Sequence, residues 1–147
     1  MPNLNSLHVM AAAGALAMFV LGAATSSALT PAPPRMMPLL STDETIMGEP
    51  IVYPAGSALL TTAVISLPPG GQTGWHTHGV PVTGYILEGE LTVDYGERGK
   101  RKYKKGMSVA EAISIPHNGT NTGETDMRLF VVYIGAEGLQ NSTPAKQ

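Results

Sequence analysis

Residues 70–89 read GGQTGWHTHGVPVTGYILEG, and this stretch decides the fold. It begins and ends with glycine, and one residue separates His76 from His78. Alternate side chains of a β-strand point to the same face, so the two imidazoles are expected to lie side by side. Such a pair can supply half of a metal site, although strands exposed on a protein surface also carry it.

Short apolar segments separated by turn residues surround this stretch. Strands are predicted at residues 50–53, 58–67, 85–87, 91–95 and 100–105, from residue 106 toward 115, and at residues 127–134. The chain contains 17 glycines and 12 prolines, which suits frequent turns, and no segment has a convincing helical period. About eight to ten strands in one small domain predict an all-β sandwich or closed barrel.

The composition restricts the chemistry that the chain can carry. It has no cysteine, so a thiolate nucleophile and a cysteine zinc site are excluded, and a metal must use histidine, carboxylate or carbonyl ligands. The net charge of −2 gives no reason to expect a nucleic-acid partner. His117 follows the strand that starts at residue 106, and closure of a barrel would bring it opposite the histidine pair. By itself, however, one such histidine is more often a hydrogen-bonded core or surface residue.

Two spaced motifs make the sequence resemble the cupin superfamily. The first cupin motif, G(x)5HxH(x)3E(x)6G, is matched at four positions, with a valine where the motif has glutamate: Gly70, His76, His78, Gly89 and Val82. The second, G(x)5PxG(x)2H(x)3N, is matched at three positions, with alanine and serine in place of its proline and glycine: Gly106, His117, Asn121, Ala112 and Ser114. The resemblance implies a single cupin-type antiparallel β-barrel, similar to a jelly roll, with its motif histidines inside.

The resemblance also implies a ligand set. His76, His78 and His117 are expected to hold one divalent transition metal, and Val82 removes the usual carboxylate ligand. Iron is the first choice, with copper, nickel, manganese or zinc as alternatives. Three neutral imidazoles leave the metal its full double charge, and about three positions stay open if it is octahedral. Among cupins, three-histidine sites occur in thiol dioxygenases and in oxygen-dependent enzymes that cleave diketones.

Three residues near the motifs have further predicted roles. Strand alternation turns Glu111 toward the barrel interior, where it is a candidate catalytic base, fourth ligand or partner of a histidine. If the strand instead ends near residue 112, Glu111 faces solvent. Asn121 is expected to be a turn residue or a neighbour of the ligands. Trp75 is expected to face away from the histidines, toward a homodimer contact.

The amino-terminal region predicts export. Residues 9–24 are uncharged and nearly all apolar, and the small-residue run that follows predicts a signal peptide at 1–28, cleaved after Ala28. The leading residues lack the usual positive charge, so an uncleaved membrane anchor is the alternative. The remaining boundaries are a proline-rich linker or arm at 29–45, the barrel at 46–140, and a flexible carboxy-terminal tail at 141–147.

The leading functional hypothesis is a metal-dependent, oxygenase-like enzyme that acts on a small molecule. A non-catalytic cupin that binds a small ligand and a metal-assisted isomerase or lyase are the alternatives. The protein is expected in the periplasm or outside the cell as a homodimer. No nucleic-acid partner and, after cleavage, no stable membrane association are expected.

Overall fold

The computed structural model describes residues 32–146. The chain divides into two units after Arg35, and every strand found in residues 32–146 lies in the second. Within the described range there are nine strands and a single 3₁₀ turn, but no α-helix. The strands are β1 (Ala58–Leu67), β2 (His76–Thr77), β3 (Val82–Glu88), β4 (Glu90–Asp94), β5 (Lys100–Lys104), β6 (Ser108–Ala110), β7 (Asn118–Asn121), β8 (Met127–Ala136) and β9 (Thr143–Pro144).

The strands form three antiparallel sheets. A four-stranded sheet has the order β1-β8-β3-β6, a three-stranded sheet has the order β5-β4-β7, and β2 pairs with β9. The all-β antiparallel fold predicted from the sequence is therefore confirmed. The prediction of a strand at 50–53 was wrong, because only Pro50 makes a bridge, to Glu44. Pro54, Gly56 and their neighbours turn the chain before pairing can extend.

Strand β8 is the centre of the larger sheet, since it pairs with β1 on one side and β3 on the other. The first half of the strand alternates strictly, with Met127, Leu129 and Val131 buried. Arg128 and Phe130 between them are exposed. One apolar face of the strand therefore points into the barrel, as the period of two requires.

Side chains of the two larger sheets meet in one core. Ile86 of β3, Leu91 and Val93 of β4, and Met127 and Val131 of β8 are at most 3% exposed. Burying each such side chain stabilises the fold by about 1.5–3 kcal/mol. Several of these core residues, including Leu91, Val93 and Val131, also line the cavity that holds the histidines.

The segment after β8 corrects one prediction. Residues 141–147 were expected to form a flexible tail, yet Thr143 and Pro144 form β9 and pair with β2. The backbone N–H of Ala145 also donates to the Trp75 carbonyl at 3.0 Å. The segment runs antiparallel to the strand that carries His76, which gives its backbone groups partners that a free tail would lack.

The predicted signal peptide, residues 1–28, lies outside the described residues. The arm at 32–43 has no regular secondary structure. Within residues 32–146, no helix has the length and apolar character that crossing a membrane requires. Cleavage after Ala28 and the domain boundaries stay predictions.

Candidate metal centre

Backbone pairing sets two of the histidines opposite each other. His76 lies on β2, and His117 immediately precedes β7. The two residues form an antiparallel bridge in which each N–H donates to the other's carbonyl at 3.0 Å. The N–H of His78 donates to the Ile113 carbonyl at 2.8 Å. Main-chain hydrogen bonds therefore hold the segments of the two motifs next to each other.

The three imidazoles converge on one point. Their ring centroids are 4.4–5.1 Å apart. One ring nitrogen from each of His76, His78 and His117 lies within 4.8 Å of the others. His117 is 1% exposed and His78 is 8% exposed, whereas His76 is half-buried. The cluster is thus open to the outside at His76 alone.

Backbone carbonyls orient all three rings. The Nδ1–H groups of His76 and His117 donate at 2.8 Å to the carbonyls of Gly74 and Ile115. The Nδ1–H of His78 donates at 2.9 Å to the carbonyl of Asn141. A nitrogen that faces a carbonyl must carry the proton, which leaves the lone pair on Nε2 of each neutral ring. This is the usual support of a metal-binding histidine.

The charge state and one unpartnered atom fit a metal. Burial lowers the pKa of His76 and lowers that of His78 to about 4, so both rings are neutral near pH 7. Among the described residues, the buried Nε2 atom of His117 has no hydrogen-bond partner. A buried polar atom without a partner costs about 1–3 kcal/mol. A divalent metal at the centre of the cluster would satisfy this lone pair together with the other two.

Glu111 faces the cavity that holds the histidines, although its strand ends at Ala110. One carboxylate oxygen, Oε1, accepts a hydrogen bond of 2.5 Å from the Tyr95 hydroxyl and one of 3.1 Å from the Ala112 N–H. No described donor contacts the other oxygen, Oε2. The alternative in which Glu111 faces solvent is therefore wrong. Glu111 is, however, not a member of the cluster of possible metal ligands.

Tyr95 packs in the hydrophobic core, and its hydroxyl also contacts Glu111. It is 2% exposed, and its ring centroid lies 5.6 Å from that of His117. Burial and then the neighbouring Glu111 charge raise the pKa of Tyr95 far above its ordinary value. The phenol consequently keeps its proton and acts as a fixed donor to the carboxylate.

Glu111 also lies beside the position where the first motif has glutamate. Its N–H donates to the Val82 carbonyl at 2.9 Å, across the pairing of β6 with β3. Val82 is 6% exposed and lines the same cavity. A carboxylate is thus present near the vacant motif position, supplied by the neighbouring strand.

A second carboxylate, which sequence reasoning missed, holds the loop between Glu111 and His117. Glu49 accepts hydrogen bonds from the N–H groups of Ile113 and Ser114, at 2.7 and 2.8 Å, and from the Ser114 hydroxyl at 2.5 Å. Thr45 donates a longer bond of 3.3 Å to it. Glu49 lies 64 positions before Ile113 and 65 before Ser114, so no local pattern marks the contact. These hydrogen bonds lie in the segment where the second motif usually has proline and glycine.

Asn121 has the structural role that the motif predicts. Its amide nitrogen donates at 2.8 Å to the carbonyls of Leu67 and Thr125, and its oxygen accepts from the Gly123 N–H at 2.9 Å. It is 1% exposed and is not a member of the histidine cluster. Asn121 therefore ties the end of β1 to the turn that follows β7.

The histidines line a small cavity of about 40 Å³. Most of its other walls are apolar, including Val82, Leu129 and Val131. Among residues 32–146, Glu111 is the one acidic residue of the lining, and no lysine or arginine contributes to it. The cavity combines three clustered imidazoles with one carboxylate among mainly apolar walls.

A family model described as a cupin domain matches residues 63–133, which contain all three clustered histidines. No curated protein sequence is a significant match.

Solved structures share the fold at low sequence identity. An uncharacterised conserved protein from Klebsiella pneumoniae with a double-stranded β-helix domain is 17% identical, with a TM-score of 0.52 over 78% of this chain and 100% of that chain. Lactobacillus farciminis oxalate decarboxylase, crystallised with formate, is also 17% identical, with a TM-score of 0.50 over 58% of this chain. A DMSP lyase is 16% identical, with a TM-score of 0.50 over 59% of this chain and 44% of that chain. The match spans only 26% of the oxalate decarboxylase, and these identities show the fold alone.

Proposed function

The chain belongs to the cupin superfamily, and we propose that it is an enzyme whose three clustered histidines hold one divalent transition metal, with iron as the first choice. The observation that carries this proposal is the orientation of the rings. All three Nδ1–H groups are fixed by backbone carbonyls, and the Nε2 atom of His117 is buried without a partner. Imidazole ligands favour transition metals over magnesium and calcium.

The proposed reaction is oxygenase-like and acts on a small molecule. A redox-active metal bound by three neutral imidazoles would supply Lewis acidity and the capacity to react with dioxygen. The oxalate decarboxylase and DMSP lyase with this fold have small-molecule substrates by name, which supports a small substrate here.

The protein's own residues would handle the proton. Glu111 presents Oε2 as a general base, while its Oε1 stays bound to the Tyr95 hydroxyl. Tyr95 keeps its own proton and limits the motion of the carboxylate. The apolar walls at Val82 and Leu129 reduce competition from water, which strengthens the interaction between the base and a bound substrate.

The first test measures bound metal in the full chain, purified without chelator or an affinity tag that contains histidine. Elemental mass spectrometry should find about one transition metal per chain in the wild type, and the His76→Ala, His117→Ala double variant should lose it. Thr77→Ala is the matched control, because Thr77 lies between two ligands on the opposite face of the strand. A wild type that binds none of the offered iron, copper, nickel, manganese or zinc would refute the metal centre.

The second test asks whether the metal can bind a dioxygen analogue. The iron(II) form, exposed to nitric oxide without air, should give the electron paramagnetic resonance signal of a high-spin iron–nitrosyl complex. An iron-loaded protein that gives no such signal would contradict the oxygenase proposal and favour a non-catalytic binding protein or a metal-assisted lyase. Export to the periplasm or beyond and assembly as a homodimer remain part of the proposal.

A further inference from the structure

The histidine cavity adjoins a larger groove. Four residues line both spaces, namely Ile65, Thr73, His76 and Tyr133. The inner space has about 40 Å³, whereas the groove has about 450 Å³. Binding sites for small molecules usually have roughly 300–1,000 Å³, so the groove has the size that the inner cavity lacks.

The groove is aromatic and uncharged. Besides the shared residues, it is lined by Leu67, Gly74, Trp75, Ser142 and Pro144. Trp75 immediately precedes β2, and its side chain is not part of the lining of the histidine cavity. Its half-buried side chain forms a wall of the groove that leads to His76.

No lysine or arginine among the described residues lines the groove or the cavity, and four basic residues of the barrel surface form ion pairs. Lys100 pairs with Asp94, Lys102 and Lys104 pair with Glu90, and Arg128 pairs with Glu88. None of these residues lines the groove or the cavity, and Glu111 adds a negative charge to the cavity. An acidic substrate body would therefore meet no counter-charge, whereas an apolar or aromatic body would bury surface against Trp75 and Tyr133.

We propose that this groove is the binding subsite for the uncharged, apolar or aromatic body of the substrate, whose short coordinating head enters the inner cavity. The inference rests on the proposed metal centre at the histidines. The shared lining supports it, because His76 borders both spaces and a molecule anchored at His76 can reach the groove beside it. Small dicarboxylates such as oxalate are then poor ligands, since they carry two charges and no apolar body.

Two hydroxamic acids with the same head group test the proposal in the cobalt(II)-loaded full chain. Acetohydroxamic acid carries a methyl group and benzohydroxamic acid carries a phenyl ring. Their affinities are measured from the visible absorption of cobalt and corrected for the affinity of each acid for free cobalt(II). Benzohydroxamic acid should bind about tenfold more tightly or better, because only its body reaches apolar walls. Oxalate should bind more weakly than benzohydroxamic acid.

Two groove variants and one control locate the effect. Trp75→Ala should remove most of the preference for the phenyl compound and leave the affinity of acetohydroxamic acid unchanged. Ser142→Asp, at an exposed position that tolerates substitution, should weaken only the phenyl compound. Tyr53→Ala should change neither affinity, because Tyr53 is 74% exposed and lies outside the groove.

The outcomes separate the two proposals. A wild type that binds neither cobalt nor any of iron, copper, nickel, manganese and zinc would overturn the metal centre and this inference with it. A cobalt-loaded protein that binds the two hydroxamic acids equally, or prefers oxalate, would overturn the groove subsite alone. Retention of the phenyl preference in both Trp75→Ala and Ser142→Asp would do the same.

Discussion

Replacing Glu49 should loosen the loop that carries His117 and destabilise the whole barrel. In Glu49→Ala, the N–H groups of Ile113 and Ser114 and the Ser114 hydroxyl lose their acceptor. Hydrogen bonds to a charged group contribute about 1.5–3 kcal/mol each. Ser114 is exposed, so water takes over its two bonds, whereas Ile113 is partly buried. We expect the free energy of unfolding to fall by about 2–4 kcal/mol.

The charge of Glu49 makes this effect depend on pH. Burial alone would raise the pKa of Glu49, but the Ser114 hydroxyl, the N–H groups of Ile113 and Ser114, and Thr45 together hold it below its ordinary value of 4.5. The folded state therefore binds fewer protons than the unfolded state, and the carboxylate stabilises the fold fully above that value. This contribution is lost as the pH falls through the lower pKa of the folded state.

Urea unfolding followed by the fluorescence of Trp75 measures both effects, because Trp75 is the sole tryptophan of the chain. Glu49→Gln should be less stable than the wild type at pH 7, and the difference should shrink as the pH drops below about 4.5. Glu44→Ala is the control, since the exposed Glu44 side chain contacts none of these donors, and its effect should stay within about 0.5 kcal/mol. A Glu49→Ala loss below that size, or a Glu49→Gln deficit that does not change with pH, would refute the reasoning.

Two further predictions concern buried hydrogen bonds. Asn121→Ala should lower the free energy of unfolding by about 2–4 kcal/mol, because the Leu67 and Thr125 carbonyls lose their donor. The amount of bound metal, measured by elemental analysis, should be unchanged. Tyr95→Phe and Glu111→Gln should show a coupling free energy of about 1–3 kcal/mol in a double-mutant cycle measured by urea unfolding. Strictly additive effects on the free energy of unfolding would argue against the hydrogen bond between the two side chains.

The spacing of the two motifs was enough to predict the barrel and the residues that meet inside it. The motifs place glycines, histidines and an asparagine at fixed separations, and these separations indicate which strands pair. The match does not depend on the identity of the residues between them. The period of two gave an inward Glu111 as one of two alternatives, and the side chain does line the histidine cavity although regular pairing ends at Ala110. Its direction persists because its N–H still bonds to the Val82 carbonyl.

Other parts of the site could not be predicted, for physical reasons. The acceptors that orient the rings are the carbonyls of Gly74, Ile115 and Asn141, and every residue has a carbonyl, so sequence does not distinguish them. Glu49 acts on Ser114 across 65 positions, and only the folded chain makes them neighbours. Residues 141–147 looked like a tail because two paired residues leave no pattern in a sequence.

The residues that orient the histidine rings lie far apart in the sequence, and this separation has a consequence for the order of folding. Asn141, which orients His78, lies near the end of the chain, while Glu49 fixes the loop before His117 from the opposite end of the barrel sequence. Contacts between distant residues form late, because long loops must close first. We therefore expect the three-histidine site to mature after the sheets have assembled, so that metal uptake reports a chain that has finished folding. A metal-responsive signal recorded during refolding would then lag behind the Trp75 fluorescence or coincide with its last phase.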